Sequence, residues 1–313
     1  MQHSIVFLDR ETVGAALRQP NFPHCYQEYA VTPADYIVDR LKDATIAILN
    51  KVPMRAETLA QLPKLKLIAV AATGTDIVDR KYCRQNSITV VNIRHYAFNT
   101  VPEHVFALIF ALRRNLITYR DDVRDGAWQR ARQFCFFPHP IRDIAGSTLG
   151  IIGFGEIGKA VARRAQALDM EVLATDVVAE PGLADLSTVL AESDIVTLHV
   201  PLTQQTRGMI GAKELATMRR DAILINTARG GLVDEPALVG ALKAGVIAGA
   251  GFDVLSSEPP TNGNVLLGAD LPNLIVTPHI AWASEQAMRI LADQLIDNIE
   301  AFVAGKPQNV VSD

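Results

Sequence analysis

Twelve residues constrain this chain more than any others: Ser147-Thr-Leu-Gly-Ile-Ile-Gly-Phe-Gly-Glu-Ile-Gly158, an apolar run that passes through glycines spaced G-x-G-x-x-G into an amphipathic segment. Leu149, Ile151 and Ile152 read as a buried strand, and Ile157, Val161, Ala162, Ala165 and Leu168 recur at helical spacing after them. Strand, turn and helix with glycines at those places suit a dinucleotide. Gly153 permits the tight turn, Gly155 lets backbone approach a pyrophosphate, and Gly158 lets the helix lie close to the sheet. Three glycines alone serve any tight turn; the flanking strand and helix make the motif specific. A second apolar run, Glu171 to Thr175, ends on Asp176, at the offset of about 20 residues that the motif requires. A carboxylate there accepts hydrogen bonds from a free ribose 2′-hydroxyl and repels a 2′-phosphate. Val177 and Val178 follow and supply no cation, so NAD is favoured over NADP; the blander reading of Asp176 is a solvated strand end.

The 313 residues leave room for two domains, and 49% hydrophobic against 20% charged residues is a globular composition. A net charge of −4 recruits no nucleic acid, and the arginine pairs at 113–114, 163–164 and 219–220 are scattered over helical patterns. Asp9, Arg10 and Glu11 interrupt the first apolar run, so the start does not read as a secretory signal, and no run approaches a membrane span. A cytoplasmic protein is expected. Cys25, Cys83 and Cys135 are far apart and show no metal-ligand spacing, which predicts reduced thiols and no metal.

In the first hundred residues, short β-rich runs (Ser4 to Leu8, Ala44 to Leu49, Leu67 to Ala71, Ile88 to Val91) alternate with amphipathic segments such as Pro33 to Lys42. That is the rhythm of a parallel sheet with crossover helices, here without a glycine cradle. The loop Ala71-Ala-Thr-Gly-Thr-Asp76 follows one run at the carboxyl edge, where open α/β sheets bind ligands; it is either an anion nest or a plain turn. Thr100-Val-Pro-Glu103 then reads as a capping box opening a helix through Val105, Leu108, Ile109, Leu112 and Leu116. Phe106 and Phe110 widen its apolar stripe, which predicts burial between two domains. From Asp121 to Pro140 the periodicity lapses while Trp128, Phe134, Phe136 and Phe137 accumulate. The expectation is an arm packed on a second subunit, with packing under the chain's own second domain as the alternative.

After the glycines, runs at Ile195 to Val200, Ala222 to Asn226, Ile247 to Phe252 and Leu274 to Thr277 complete a doubly wound sheet, and a last helix spans about Ser284 to Val303. Each run ends on polar residues: Val200-Pro201-Leu-Thr203, Asn226-Thr-Ala-Arg229-Gly-Gly, Asp253 followed by Glu258, and Pro278-His279. In a parallel sheet these ends share one edge with the glycine loop, so Arg229, Glu258 and His279 can converge. Reducing a 2-keto acid needs a fixed cation for the carboxylate, a proton donor at the carbonyl and a group that keeps the donor protonated. Arginine, histidine and a nearby carboxylate supply these. Singly, each has a structural explanation: a turn, a surface loop, a core histidine. His104, His139 and His199 rate as structural.

Taken together, these motifs resemble the D-isomer-specific 2-hydroxyacid dehydrogenase family over nearly the whole chain. The resemblance rests on Ala71 to Asp76, Thr100-Val-Pro-Glu-His104, the glycine stretch, Asn226 to Asp234, Gly251-Phe-Asp-Val-Leu255 with Glu258-Pro-Pro, and Thr277-Pro-His-Ile-Ala-Trp282. It implies two doubly wound parallel-sheet domains, a Rossmann NAD-binding domain (99–287, with a dimerisation arm near 121–140) inserted into a flavodoxin-like substrate domain (1–98 and 288–313), and substrate closing the cleft between them. It implies Arg229, Glu258 and His279 as catalytic residues, with Ala72, Thr73, Gly74, Arg229 and His279 meeting the substrate. It places NAD on Gly153, Phe154, Gly155, Glu156, Ile157, Gly158, Asp176, Val200, Pro201, Thr206, Thr227, Ala228, Arg229 and Asp253. Asn92 to Ala97, Phe134 to Ile141 and His279 to Ser284 are most similar to the branch that reduces hydroxypyruvate, and glyoxylate with it, as a homodimer. Where many members carry Asp-Asn after the glycine loop, this chain has Asp76-Ile77. The remaining alternatives are another 2-keto acid, of phosphoglycerate or D-lactate type, and a non-catalytic NAD-sensing corepressor.

Overall fold

Ile5, Val6 and Phe7 are buried on both faces of a strand, and that pattern recurs through two parallel sheets. The computed structural model describes residues 3–177 and 181–311, so Val178 lies outside the described residues. The chain divides into two compact units, Met1–Ala97 with Ala283–Asp313, and Phe98–Trp282. The return to the first unit falls at 283, ahead of the 288 expected from sequence. Ser284 starts the last helix there, its hydroxyl accepting the Ala287 N–H at 3.2 Å.

In the first unit, β1 (His3–Phe7), β2 (His24–Glu28), β3 (Ile46–Leu49), β4 (Leu67–Val70) and β5 (Thr89–Val91) lie in the order β2-β1-β3-β4-β5, all parallel. This is the flavodoxin-like order. Helix Glu285–Val303 packs on β4 through its buried Leu291, Leu295, Ile296 and Ile299. Asn298 Nδ2 donates to Asn92 O at 2.9 Å, anchoring the helix beside β5.

In the second unit, β6 (Thr148–Ile152), β7 (Glu171–Thr175), β8 (Ile195–Leu198), β9 (Ile223–Asn226), β10 (Gly249–Phe252) and β11 (Leu274–Val276) form a parallel sheet in the order β11-β10-β9-β8-β6-β7. The chain leaves β6 for β7 on one side and returns to β8 on the other. The glycine loop therefore sits at the switch point, where the helices on either side diverge and leave a crevice.

Four expectations change. The helix from Thr100 ends at Arg113: Asn115 takes φ 50, and Leu116 begins a separate helix, Leu116–Arg124, on which it is exposed. No capping box forms. Asn99 holds the cap position and the Thr100 hydroxyl donates to Ala281 O at 3.0 Å. The apolar face of Thr100–Arg113 is taken up inside its own unit, on helix Glu156–Ala167, β9 and β10, while Phe110 points outward. Part of the aperiodic 121–140 stretch is helical, since Leu116–Arg124 runs into it and Ala127–Ala131 lies within it.

Candidate active site

Gly153 leaves β6 at φ +98, and a Cβ on it would meet the His199 carbonyl group at 2.7 Å; only glycine fits both the turn and that approach. A Cβ on Gly158 would lie 2.1 Å from Gly153 O, so its absence sets how closely the helix meets the strand. Gly155 is different: a Cβ there would meet nothing within 4 Å. The protein itself does not crowd Gly155, which suits backbone reserved for a pyrophosphate at a helix N-terminus. Phe154 N donates to Asp176 Oδ2 at 2.5 Å, fixing the carboxylate at the end of β7 beside the loop.

Val200 and Pro201 turn the chain after β8, and Thr206 clamps that turn: its Oγ1 donates to Pro201 O at 2.7 Å and accepts from Thr203 N at 2.8 Å. After β9, the hydroxyl of Thr227 is buried and has no hydrogen-bond partner among the described residues. A buried orphan hydroxyl is destabilising by about 1–3 kcal/mol, and a bound ligand that reaches it removes the penalty. Thr227, the open face of Gly155 and the placed Asp176 carboxylate all fit NAD. Phe154, Glu156, Ile157, Ala228 and Arg229 stand on the same sheet edge, in the loops or first turns that follow β6 and β9.

Arg229 is bracketed by the fully buried Asn226, which donates from Nδ2 to Arg229 O at 2.8 Å and accepts from Ala228 N at 3.0 Å. Its guanidinium Nη1 donates to Ala228 O at 2.7 Å. Glu258, on the loop after β10, accepts from Leu255 N through Oε1 at 2.8 Å and meets His279 Nδ1 through Oε2 at 2.6 Å. This places a proton on Nδ1 and leaves Nε2 as the working atom of the imidazole.

His279 sits at φ 55, in the left-handed region that a side chain rarely adopts, and its surroundings impose that conformation. Its N–H donates to Asp253 O at 2.8 Å, and the Trp282 indole donates to its carbonyl at 3.0 Å. The buried Asp253 carboxylate accepts from Thr277 Oγ1 (2.6 Å), Ile280 N (2.9 Å) and Ala281 N (2.8 Å). Asp253, expected to touch the cofactor, therefore also fastens the loop that carries His279. Since the Thr277 proton goes to Asp253, His104 Nε2 is the donor in its 2.9 Å bond to Thr277 Oγ1. Sequence reasoning missed Thr277 and Trp282 in these roles; a threonine and a tryptophan beside a strand end carry no signal of their own.

In the first unit, the 71–76 loop is held by its carbonyls and one hydroxyl. Ile93 N donates to Ala72 O at 3.0 Å, Asn92 Nδ2 to Thr73 O at 2.7 Å, and Thr73 Oγ1 to Ile93 O at 2.8 Å. Ile77, where the family pattern differs, packs against the core of this unit. Of the other histidines, His139 Nε2 lies 2.8 Å from Asp122 Oδ2 and His199 Nε2 lies 3.0 Å from Thr197 Oγ1. Among the described residues no group of histidine, cysteine and carboxylate side chains could hold a metal, and no helix is long and apolar enough to cross a membrane.

A model of the D-isomer specific 2-hydroxyacid dehydrogenase NAD-binding domain matches residues 106–281. Glycerate dehydrogenase of Methylorubrum extorquens is 65% identical over 312 residues, 99% of either chain. Hydroxypyruvate reductase of Blautia hydrogenotrophica is 36% identical over 92% of this chain and 91% of its own. Among solved structures, the D-lactate dehydrogenase of Aquifex aeolicus, complexed with NAD and lactic acid, superposes with a TM-score of 0.80 at 29% identity, covering 96% of both chains.

Proposed function

The chain belongs to the D-isomer-specific 2-hydroxyacid dehydrogenase family, and from that premise we propose that it reduces hydroxypyruvate to D-glycerate with NADH, and glyoxylate to glycolate as a second reaction. The observation that carries the proposal is the 2.6 Å contact between Glu258 and His279 on the sheet edge that also bears Arg229. Bound NADH supplies the hydride. The chain's own residues do the rest. Arg229 pairs with the substrate carboxylate through a charge it cannot lose. His279 Nε2 gives its proton to the carbonyl oxygen, and Glu258 holds the ring by Nδ1 in the orientation that makes this possible. Ala72, Thr73 and Gly74 keep, within the same proposal, the role of backbone donors to a carboxylate. Asp176 would select NADH by accepting a hydrogen bond from a free ribose 2′-hydroxyl.

Two further statements belong to this reading. The chain acts as a homodimer through the arm near 121–140, supported by the exposure of Phe134 (94%), Phe137 (71%) and Trp128 (46%). It works in the cytoplasm, a reading that Cys83 and Cys135 as thiols support.

The test is NADH oxidation at 340 nm with hydroxypyruvate, glyoxylate, pyruvate, 2-ketobutyrate and phosphohydroxypyruvate, each repeated with NADPH. Hydroxypyruvate is expected to lead, and NADH to exceed NADPH by at least about tenfold in kcat/KM, as roughly 1.4 kcal/mol of discrimination gives. A bulkier or phosphorylated acid in front discards the substrate and keeps the chemistry. No turnover with NADH still bound sinks the enzymatic reading.

A further inference from the structure

In the loop that carries Glu258, the bond from Leu255 N to the Glu258 carboxylate ties the two ends of a four-residue turn, and Thr261 N donates to Pro259 O at 2.9 Å just beyond it; such local bonds shape the turn but do not fix where it lies. That position is set from outside by a residue the proposed chemistry does not use. Glu235, the first residue of helix Glu235–Lys243, is 4% exposed and directs its carboxylate into the turn. Oε1 accepts from Ser256 N at 2.6 Å; Oε2 accepts from Ser256 Oγ at 2.8 Å and from Asn264 Nδ2 at 2.7 Å. These three donors lie in the loop between β10 and β11, on both sides of Glu258. From the other side the turn rests on Gly230, where a Cβ would fall 1.9 Å from Leu255 C and 2.4 Å from Ser256 N. Gly230 follows Arg229 directly.

On this geometry, and resting on the catalytic reading above, we propose that Glu235 is a positioning residue for the reaction: its buried carboxylate pins Ser256 and Asn264, so that Glu258 stays in hydrogen-bond contact with His279 and in register with Arg229. A carboxylate suits the task because all three partners donate and an ionised carboxylate only accepts. Charge-assisted bonds of this kind are about twice as strong as neutral ones. Glutamine in its place is nearly isosteric but turns an N–H group toward at least one of those donors. The Glu258 carboxylate then loses its fixed place, and with it the bond that holds the His279 Nδ1–H.

The experiment follows the His279 Nδ1–H proton by 1H–15N NMR in the NADH-bound protein, assigned by its loss in His279→Asn, for wild type and Glu235→Gln. In the wild type the 2.6 Å bond to Glu258 gives a strongly downfield, exchange-protected signal. A displaced Glu258 moves that signal upfield or loses it to exchange, with kcat for keto-acid reduction down about tenfold or more and the Kd of NADH unchanged. Asn264→Ala, which removes one donor and leaves Glu235 in place, moves both readouts the same way by less, and it carries the test if Glu235→Gln does not fold. An unmoved His279 Nδ1 signal in the folded variants overturns the proposal, including the case where Tm or kcat falls without it. The NMR readout needs no substrate, so an inactive wild type refutes the function proposed above and leaves this result standing on its own.

Discussion

His279 carries two kinds of constraint, one on its backbone and one on its ring, and they come from different residues. Asp253 and Trp282 hold the backbone at φ 55, while Glu258, at 2.6 Å, orients the ring. The two variants His279→Asn and Glu258→Gln therefore fail in different ways. Asparagine at 279 removes the proton donor, and kcat for keto-acid reduction falls by about 10²–10⁴ with NADH affinity retained. Glutamine at 258 leaves the donor but no longer fixes its tautomer, since the amide can turn either an oxygen or an N–H toward Nδ1, and kcat falls by about tenfold, less than for His279→Asn. Steady-state kinetics paired with fluorescence titration of NADH separates the two. A wild-type kcat in Glu258→Gln contradicts the role given to Glu258.

Strand β8 shows how one element serves both fold and site. Its carboxyl end passes the glycine turn so closely that Gly153 cannot carry a side chain, and the next residue, His199, is partly buried, with desolvation pushing its imidazole down to about 4. In the unfolded chain the same ring titrates near 6.5. The folded state thus binds this proton less readily, so stability from His199 is complete above pH 6.5 and is lost as pH falls from 6.5 toward 4. Within that window the loss approaches about 1.4 kcal/mol per pH unit. His199→Gln is expected to flatten this part of the wild-type Tm profile measured by calorimetry, and parallel profiles contradict it. The same scale shows what was legible beforehand. Strands β3, β4, β6, β8 and β9 are buried along almost their whole length and declare themselves as apolar runs. Strand β2, His-Cys-Tyr-Gln-Glu, is a half-exposed edge with no alternation to read, and it was missed. Leu112 and Leu116 keep helical spacing across a break that one left-handed residue, Asn115, imposes. At the site, parallel strands bring Arg229, Glu258 and His279 to one edge by topology, which sequence foresees. Glu235 was invisible because an acid at a helix start already has a sufficient explanation in the helix dipole.

For the molecule as a whole, the unexplained expenditure is apolar surface. Phe110, Leu116, Ile117, Val123, Trp128, Phe134, Phe137 and Ile141 are all exposed within one stretch of the second unit, on the helices Thr100–Arg113, Leu116–Arg124 and Ala127–Ala131 and the segment that follows. That segment is not loose. His139 is fastened to helix Leu116–Arg124 by its 2.8 Å contact with Asp122, the Tyr119 hydroxyl donates to His139 O at 2.8 Å, and Asn115 Nδ2 donates to Pro140 O at 2.6 Å. An ordered arm that presents phenylalanines to water is disfavoured unless something covers them, and a second copy of the chain presenting the same arm is a self-complementary cover. Light scattering after gel filtration should give twice the 34.0 kDa chain mass for the wild type. Phe134→Asp with Phe137→Asp should bring it to the monomer, each aromatic contributing about 1.5–3 kcal/mol to the interface when buried. Because Glu258, His279 and Arg229 are all supplied by one chain, the monomeric variant should retain NADH binding, and any fall in turnover would then measure what the partner adds to the substrate side. A wild type that runs as a monomer at micromolar concentration would refute the dimer and leave the arm as a surface for a different protein.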